Sequence, residues 1–182
     1  MAGSGVLVVA ATQRELTPVA GARTLACGIG PVEAAAATAR ALAPDPPEAV
    51  LHVGIAGARG LQALSLVLGS EAVYCDAAGP LVPDRALPDA ELLARLRAAF
   101  PGAVVRSIGT SAHVGGARDL DVEAMEGFAV LRACELAGVP AVEARVVSNE
   151  IDEPDRARWR FDDAFELLAA TLPRLVAAVS PR

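Results

Sequence analysis

The apolar positions of this chain come in short unbroken runs set between amphipathic stretches. Val6–Ala11, Thr24–Cys27 and Ala49–Val53 are β-prone runs, the last broken only by His52. Ser70–Asp76, Ala103–Thr110 and Ala141–Asn149 add three more strand patterns. Between them lie helical patterns. "VEAAAATARALA" follows Pro31, which suits a first helical turn, and Asp89–Phe100 is amphipathic. The periodicity predicts further helices over 122–137 and Asp162–Val179. Apolar strands alternating with helices predict a single α/β domain, 1–182, with a mainly parallel central sheet flanked by helices. "GPLVPDRALPD" reads as a surface loop rather than a domain boundary.

One position breaks the pattern. In "VEAMEGFAVLRACELAGV", a helical wheel at about 100° per residue places Glu126 with Val122, Ala129, Val130, Ala133 and Ala137. Arg132 and Glu135 point the other way. A carboxylate on a buried face is costly unless paired or hydrogen-bonded. Arg145 interrupts an apolar strand and is a candidate partner. By period two it shares a strand face with Glu143 and Asn149, so Glu143 is an equal candidate for the pairing.

Sheets of this kind collect ligands at the carboxyl ends of their strands. There the sequence places Glu15, Gly28 and Gly30, the stretch Gly54–Gly57, and Arg145, Ser148 and Asn149. "GIGP" is not a dinucleotide fingerprint, because Glu33 stands where the third glycine of GxGxxG belongs. His113, in "TSAHVGG", reads as a solvated loop histidine, and His52 as a satisfied core residue. Trp159 reads as a packing anchor for the last helix.

Composition narrows the chemistry. Hydrophobic residues make up 53% of the 182 positions and aromatics only 3%, so the core is built from Ala, Val and Leu. A net charge of −6 without a basic stripe argues against nucleic acid as a partner. Cys27, Cys75 and Cys134 are far apart in sequence and none forms a CxxC pair. With two histidines only, no zinc site is expected, and the cysteines read as buried free thiols in a reducing compartment. The N-terminal apolar run is too short for a signal peptide or a membrane span. The expectation is a cytoplasmic protein with no membrane association.

"EAMEGFAVLRACELAGVPAVEARVVSN" resembles the nucleoside phosphorylase and nucleosidase superfamily: a Met-Glu pair, a "GVP" turn, and a strand ending Arg-x-x-Ser-Asn. "CGIGPVEAAAATA", "VGIAGARG" and "AATQRE" resemble three further motifs in family order. Within the superfamily, "MEG" with "SN" and the downstream "RARW" are most similar to the futalosine hydrolases. The stretch between "SIGTSAHVGG" and "EAMEG" is short for the family.

The resemblance implies a nucleoside phosphorylase-like fold and hydrolysis of the N-glycosidic bond of futalosine, releasing hypoxanthine, in menaquinone biosynthesis. It implies a purine nucleoside as small-molecule partner, no metal, no organic cofactor, and a homodimer. It implies catalytic roles for Glu15, Glu126, Arg145 and Asn149. Substrate contacts are implied for Met125, Glu126, Ser148, Asn149, Ala56 and Gly57. The alternatives are a methylthioadenosine/adenosylhomocysteine nucleosidase, a purine nucleoside phosphorylase, and a catalytically silent nucleoside-binding relative. For the non-purine tail of futalosine, Arg59, Arg85 and Arg118 are equal candidates.

Overall fold

The computed structural model describes residues 5–43, 45–77, 79–117 and 119–181. These residues form eight strands: β1 (Val6–Ala10), β2 (Ala22–Ala26), β3 (Ala49–Ala58), β4 (Leu66–Tyr74), β5 (Arg85–Ala86), β6 (Val104–Thr110), β7 (Val122–Ala124) and β8 (Ala141–Glu150). Four α-helices accompany them: α1 (Pro31–Leu42), α2 (Ala90–Ala99), α3 (Gly127–Ala137) and α4 (Phe161–Val179).

The sheet is mixed. Strands β1 and β2, β1 and β3, β3 and β8, β4 and β6, and β6 and β7 pair in parallel. Pairings β3–β7, β4–β5 and β4–β8 are antiparallel. Because β8 pairs with both β3 and β4, the strands β3, β8, β4, β6 and β7 close on one another as a small barrel. Strands β1 and β2 extend it from β3. All five of the barrel strands contribute to one buried apolar cluster: Ala56, Ala58, Val67, Ile108, Val122, Ala124 and Val147.

One outer face of the sheet is covered by α2 and α4. Ala164, Leu168, Leu172, Leu175 and Val179 form the buried stripe of α4 and pack in one cluster with Val142, Ala144 and Val146 of β8. Each fully buried Leu contributes about 1.5–3 kcal/mol. The other face carries α1 and α3, whose Ala-rich contact includes Ala34, Ala129 and Val130. The three cysteines are buried thiols, none of them in a disulfide among the described residues, as the sequence suggests. Burial pushes the thiols of Cys27 and Cys134 up to about 12, which keeps them protonated.

Three expectations are corrected. The helix predicted over 122–137 begins at Gly127, and Val122–Ala124 is a strand. The residues "VEA" form a ladder with Gly57–Ala58 on one side and Gly109–Thr110 on the other, and this long-range pairing overrides local helix preference. The third strand does not stop at Val53 but runs through the glycine-rich stretch to Ala58. The Pro-rich stretch read as a loop contains the two-residue strand β5.

Candidate active site

A cleft of about 350 Å³ opens where the ends of β1, β3 and β8 meet the β7–α3 junction. Glu15, Ala56, Gly57, Met125, Glu126, Arg145, Ser148 and Asn149 all line it. The structure thus brings these eight positions together in one cavity.

Glu15 sits on a single 3-10 turn after β1. Its Oε2 accepts from the backbone N and the Oγ1 of Thr12, both at 2.8 Å. Its Oε1 faces the backbone N of Ile55 at 3.4 Å. The turn thus aims a buried carboxylate across the end of β3. Gly54 is required there. A Cβ at that position would collide with the Arg145 guanidinium and lie 2.7 Å from Glu15 Oε1.

Glu126 is the residue that caps α3, not a member of its buried face. It is only 4% exposed. Its Oε1 accepts from the backbone N of Gly30 at 3.1 Å, which ties the β2–α1 turn to the site. Its Oε2 lies 3.7 Å from Arg145 Nη2, an ion pair but too long for a hydrogen bond. Burial raises the pKa of the Glu126 carboxyl, and Glu15 and Glu143 add to the rise. Arg145 and the Gly30 N–H act the other way.

Both partners foreseen for Arg145 are real. Its Nε donates to Glu143 Oε1 at 2.8 Å, and Glu126 stands on its other side. Its Nη2 also reaches His52 Nε2. Burial alone would lower the pKa of the guanidinium, but Glu143 and Glu126 outweigh that and raise it. Glu143 is fully buried, its carboxyl raised by desolvation despite Arg145, and its Oε2 has no hydrogen-bond partner among the described residues. Gly127 makes room for it, since a Cβ there would come within 2.5 Å of both carboxylate oxygens. This is the physical content of the "MEG" sequence.

At the far end of β8 the register slips between Ala56 and Gly57, so that Val147 pairs with Ala56 while Asn149 pairs with Gly57. Ser148 is the extra residue of that bulge. Ser148 Oγ lies 2.7 Å from Asn149 Oδ1 and 3.2 Å from the Ala56 carbonyl. Asn149 Nδ2 donates to the Glu150 carbonyl at 3.0 Å. With Oδ1 engaged, the second N–H of the amide is the group Asn149 offers the cleft.

Sequence reasoning missed Glu123. It is buried, lines the cleft, and accepts from the backbone N of Gly115 at 3.0 Å, fixing the 113–117 loop. Reading "VEA" as a strand would have exposed it. Trp159 packs on Phe161 with ring centroids 5.4 Å apart, as an anchor should, and also lines the cleft. His113 is exposed as expected, with Nδ1 3.0 Å from Ser111 Oγ, yet it borders the same cleft. Arg59 pairs with Asp152 and Arg85 with Glu71, and neither lines the cleft. Arg118 lies outside the described residues. Among the described residues no three His, Cys, Asp or Glu side chains are grouped to hold a metal ion.

The profile of the phosphorylase superfamily matches residues 19–180. A futalosine hydrolase of Streptomyces coelicolor is 32% identical, over 83% of this chain and 77% of its own length. A futalosine hydrolase of Thermus thermophilus is 34% identical, over 84% and 80%. Among solved structures, a futalosine hydrolase mutant of Helicobacter pylori superposes with a TM-score of 0.84 at 17% identity, over 94% of this chain and 98% of that one. A methylthioadenosine/adenosylhomocysteine nucleosidase of Colwellia psychrerythraea, in complex with adenine, gives 0.83 at 20% identity, over 98% and 96%.

Proposed function

The chain belongs to the phosphorylase superfamily and, within it, to the futalosine hydrolases, and we propose that it hydrolyses the N-glycosidic bond of futalosine to release hypoxanthine. The observation that carries this reading is Glu126. Its Oε1 is held by Gly30, while its Oε2 accepts no hydrogen bond among the described residues and borders the cleft. A carboxylate with free lone pairs is the acceptor a ribose cis-diol needs. Met125, next to it in the cleft wall, packs on the sugar.

Glu15 holds the attacking water and takes its proton as the oxygen adds to the anomeric carbon. Arg145 orients the carboxylates. The bond to the purine breaks with its electron pair going to the base, and the sugar passes through an oxocarbenium-like state that Glu15 and Glu126 stabilise. The Asn149 amide N–H, with Ser148 holding its oxygen, meets the leaving purine at N7 or O6. Gly57 and Ala56 form the floor beneath the base.

Water rather than phosphate is the nucleophile. A phosphate site gathers cations, hydroxyls and backbone N–H groups. "GIAGARG" contains no hydroxyl, and its one cation, Arg59, is engaged by Asp152 and the Leu120 carbonyl. Glu15 beside the nucleophile position repels a phosphate dianion.

The protein acts in the cytoplasm as a homodimer. The buried thiols support a reducing compartment. The groove between α1 and α3 supports the dimer: Val32 and Leu136 are 74% and 72% exposed there, beside Phe128. A second copy bearing the same groove is the occupant, and light scattering of the purified protein tests it.

The function is tested by incubating purified protein with futalosine, inosine, methylthioadenosine and adenosylhomocysteine, with and without phosphate, and detecting free base. Fastest release from futalosine, independent of phosphate, is expected. Faster release from methylthioadenosine assigns the alternative nucleosidase activity. Phosphate dependence assigns a phosphorylase, and binding without release a silent relative.

A further inference from the structure

We infer that His52 is a positioning residue that holds Arg145 back from Glu126 and so keeps Glu126 Oε2 free for the substrate. The inference rests on the reading that Glu126 binds the ribose diol.

His52 is fully buried in β3. Its Nδ1 lies 3.0 Å from the Val9 carbonyl, which can only accept. The imidazole proton is therefore on Nδ1, and Nε2 carries a lone pair. That lone pair faces Arg145 Nη2, which donates to it. Burial, and then the Arg145 charge, lower the His52 pKa well below its usual value, so the ring remains neutral. Strand register builds the arrangement: Val9 of β1 pairs with His52 of β3, and His52 with Glu143 of β8.

The guanidinium is thus held from two sides, by Glu143 at Nε and by His52 at Nη2. Glu126 Oε2, at 3.7 Å, is left just out of hydrogen-bond range. Without an acceptor at His52, Nη2 would regain its missing hydrogen bond by closing on Glu126 Oε2. A charge-assisted bond of that kind is strong and would compete directly with the substrate hydroxyls. A neutral acceptor suits the position. A fourth carboxylate beside Glu15, Glu126 and Glu143 would add repulsion around a single arginine.

The test compares wild type with His52→Leu and His52→Gln. Leu fills the apolar site without an acceptor, and Gln can place an oxygen near the position of Nε2. The readout is kcat/KM for inosine against 2′-deoxyinosine. A purely structural defect slows both nucleosides alike. The expected result is that wild type favours the ribonucleoside, that His52→Leu loses about tenfold or more of that preference through KM, and that His52→Gln restores most of it. An unchanged preference in folded His52→Leu overturns the inference. A wild type without ribonucleoside preference overturns the reading of Glu126 and the inference with it. Nitrogen NMR of the wild-type imidazoles needs no variant and stands even if His52→Leu does not fold. A neutral Nδ1–H tautomer for His52 supports the inference, and an Nε2–H tautomer or an imidazolium overturns it.

Discussion

Strand β8 has two buried faces with opposite physics. Val142, Ala144 and Val146 point one way and pack with Leu168, Leu172 and Leu175 of α4. Glu143 and Arg145 point the other way and are equally buried. The first face stabilises the fold at about 25 cal/mol per Å² of apolar surface removed from water. On the second, desolvation costs several kcal/mol per ion and the pairings only offset it. Three buried carboxylates, Glu15, Glu126 and Glu143, surround one guanidinium, and burial raises the carboxyls of Glu126 and Glu143 although Arg145 pulls both down. The contrast teaches how the domain divides its tasks. The α4 face supplies stability, and the opposite face holds the charges that the proposed mechanism sets against a positively charged, sugar-derived transition state.

The largest effect should come from the charged face. Glu126→Gln keeps shape and volume but removes the charge and one acceptor. The expected loss in kcat/KM is about 10³-fold or more, from diol binding and transition-state charge together. The melting temperature should hold or rise, because the variant also relieves the excess of buried negative charge. Steady-state kinetics with a thermal melt read both, and an unfolded variant would make Glu126 a structural ion-pair member. Arg145→Met should cost about 3–5 kcal/mol in denaturant stability, because it leaves Glu143 and Glu126 uncompensated. Adding Glu143→Gln should recover part of that loss. Recovery equal to zero would show that the two side chains do not act as a pair.

The apolar face should respond in the opposite sense. Leu168→Ala is expected to cost about 2–5 kcal/mol of stability while leaving kcat/KM of the folded enzyme within about twofold. A matching fall in kcat/KM would show that the two faces of β8 are mechanically coupled.

Acidity separates the faces without mutation. Glu126 and Glu143 have folded pKa values above their unfolded ones, so the folded state takes up protons first. Their contribution to stability is full below the unfolded value and is lost as pH rises through the folded values. Moderate acidification should thus remove a destabilising term while turnover falls, because the role proposed for Glu126 as acceptor for the diol requires its ionised form. Melting curves of Glu126→Gln should lack the Glu126 part of this response. Stability and activity that fall together in this window would contradict the assignment.

Much of this division could be read from the chain. "VEARVVSN" alternates Val and Ala with Glu and Arg, so both faces of β8 are visible in it, and with Glu126 in "EAMEG" it offers two partners for Arg145. The structure shows both partners at once. Strand ends pointed to Glu15, the stretch Gly54–Gly57, Arg145, Ser148 and Asn149, and the family resemblance pointed to Met125 and to a substrate role for Glu126. What was not legible depends on distant pairings. Closure of the barrel by β8 on β4, the strand at Val122–Ala124, and hence Glu123 in the cleft, all rest on long-range ladders. Local preference in "VEAMEG" favours helix and points away from them. His52 was read as a satisfied core histidine, and it is one. That its partner is Arg145, 93 positions away, no local pattern could reveal.

The smallest expected effect tests whether the polar end of β8 also selects the base. Asn149 follows the bulge at Ser148, and its Oδ1 is held by Ser148 Oγ, so the amide presents N–H to the cleft. A 6-oxopurine offers two acceptors on that edge, O6 and N7, and an amide donor serves either. Adenine places a 6-amino donor beside N7, which leaves two donors facing each other. A mispaired polar group in a closed site costs about 1–3 kcal/mol, or roughly 10- to 10²-fold in relative kcat/KM. Hypoxanthine nucleosides should therefore be cleaved faster than methylthioadenosine by at least that margin. In Asn149→Asp a carboxylate oxygen accepts from the 6-amino group and, when protonated, the other donates to N7. The variant should slow futalosine cleavage and narrow the gap between the two bases, with the melting temperature nearly unchanged. Hypoxanthine and adenine release, followed in parallel, decide the matter. If the native protein cleaves both nucleosides at equal rates, Asn149 does not select the base, and the charged face of β8 ends at Arg145.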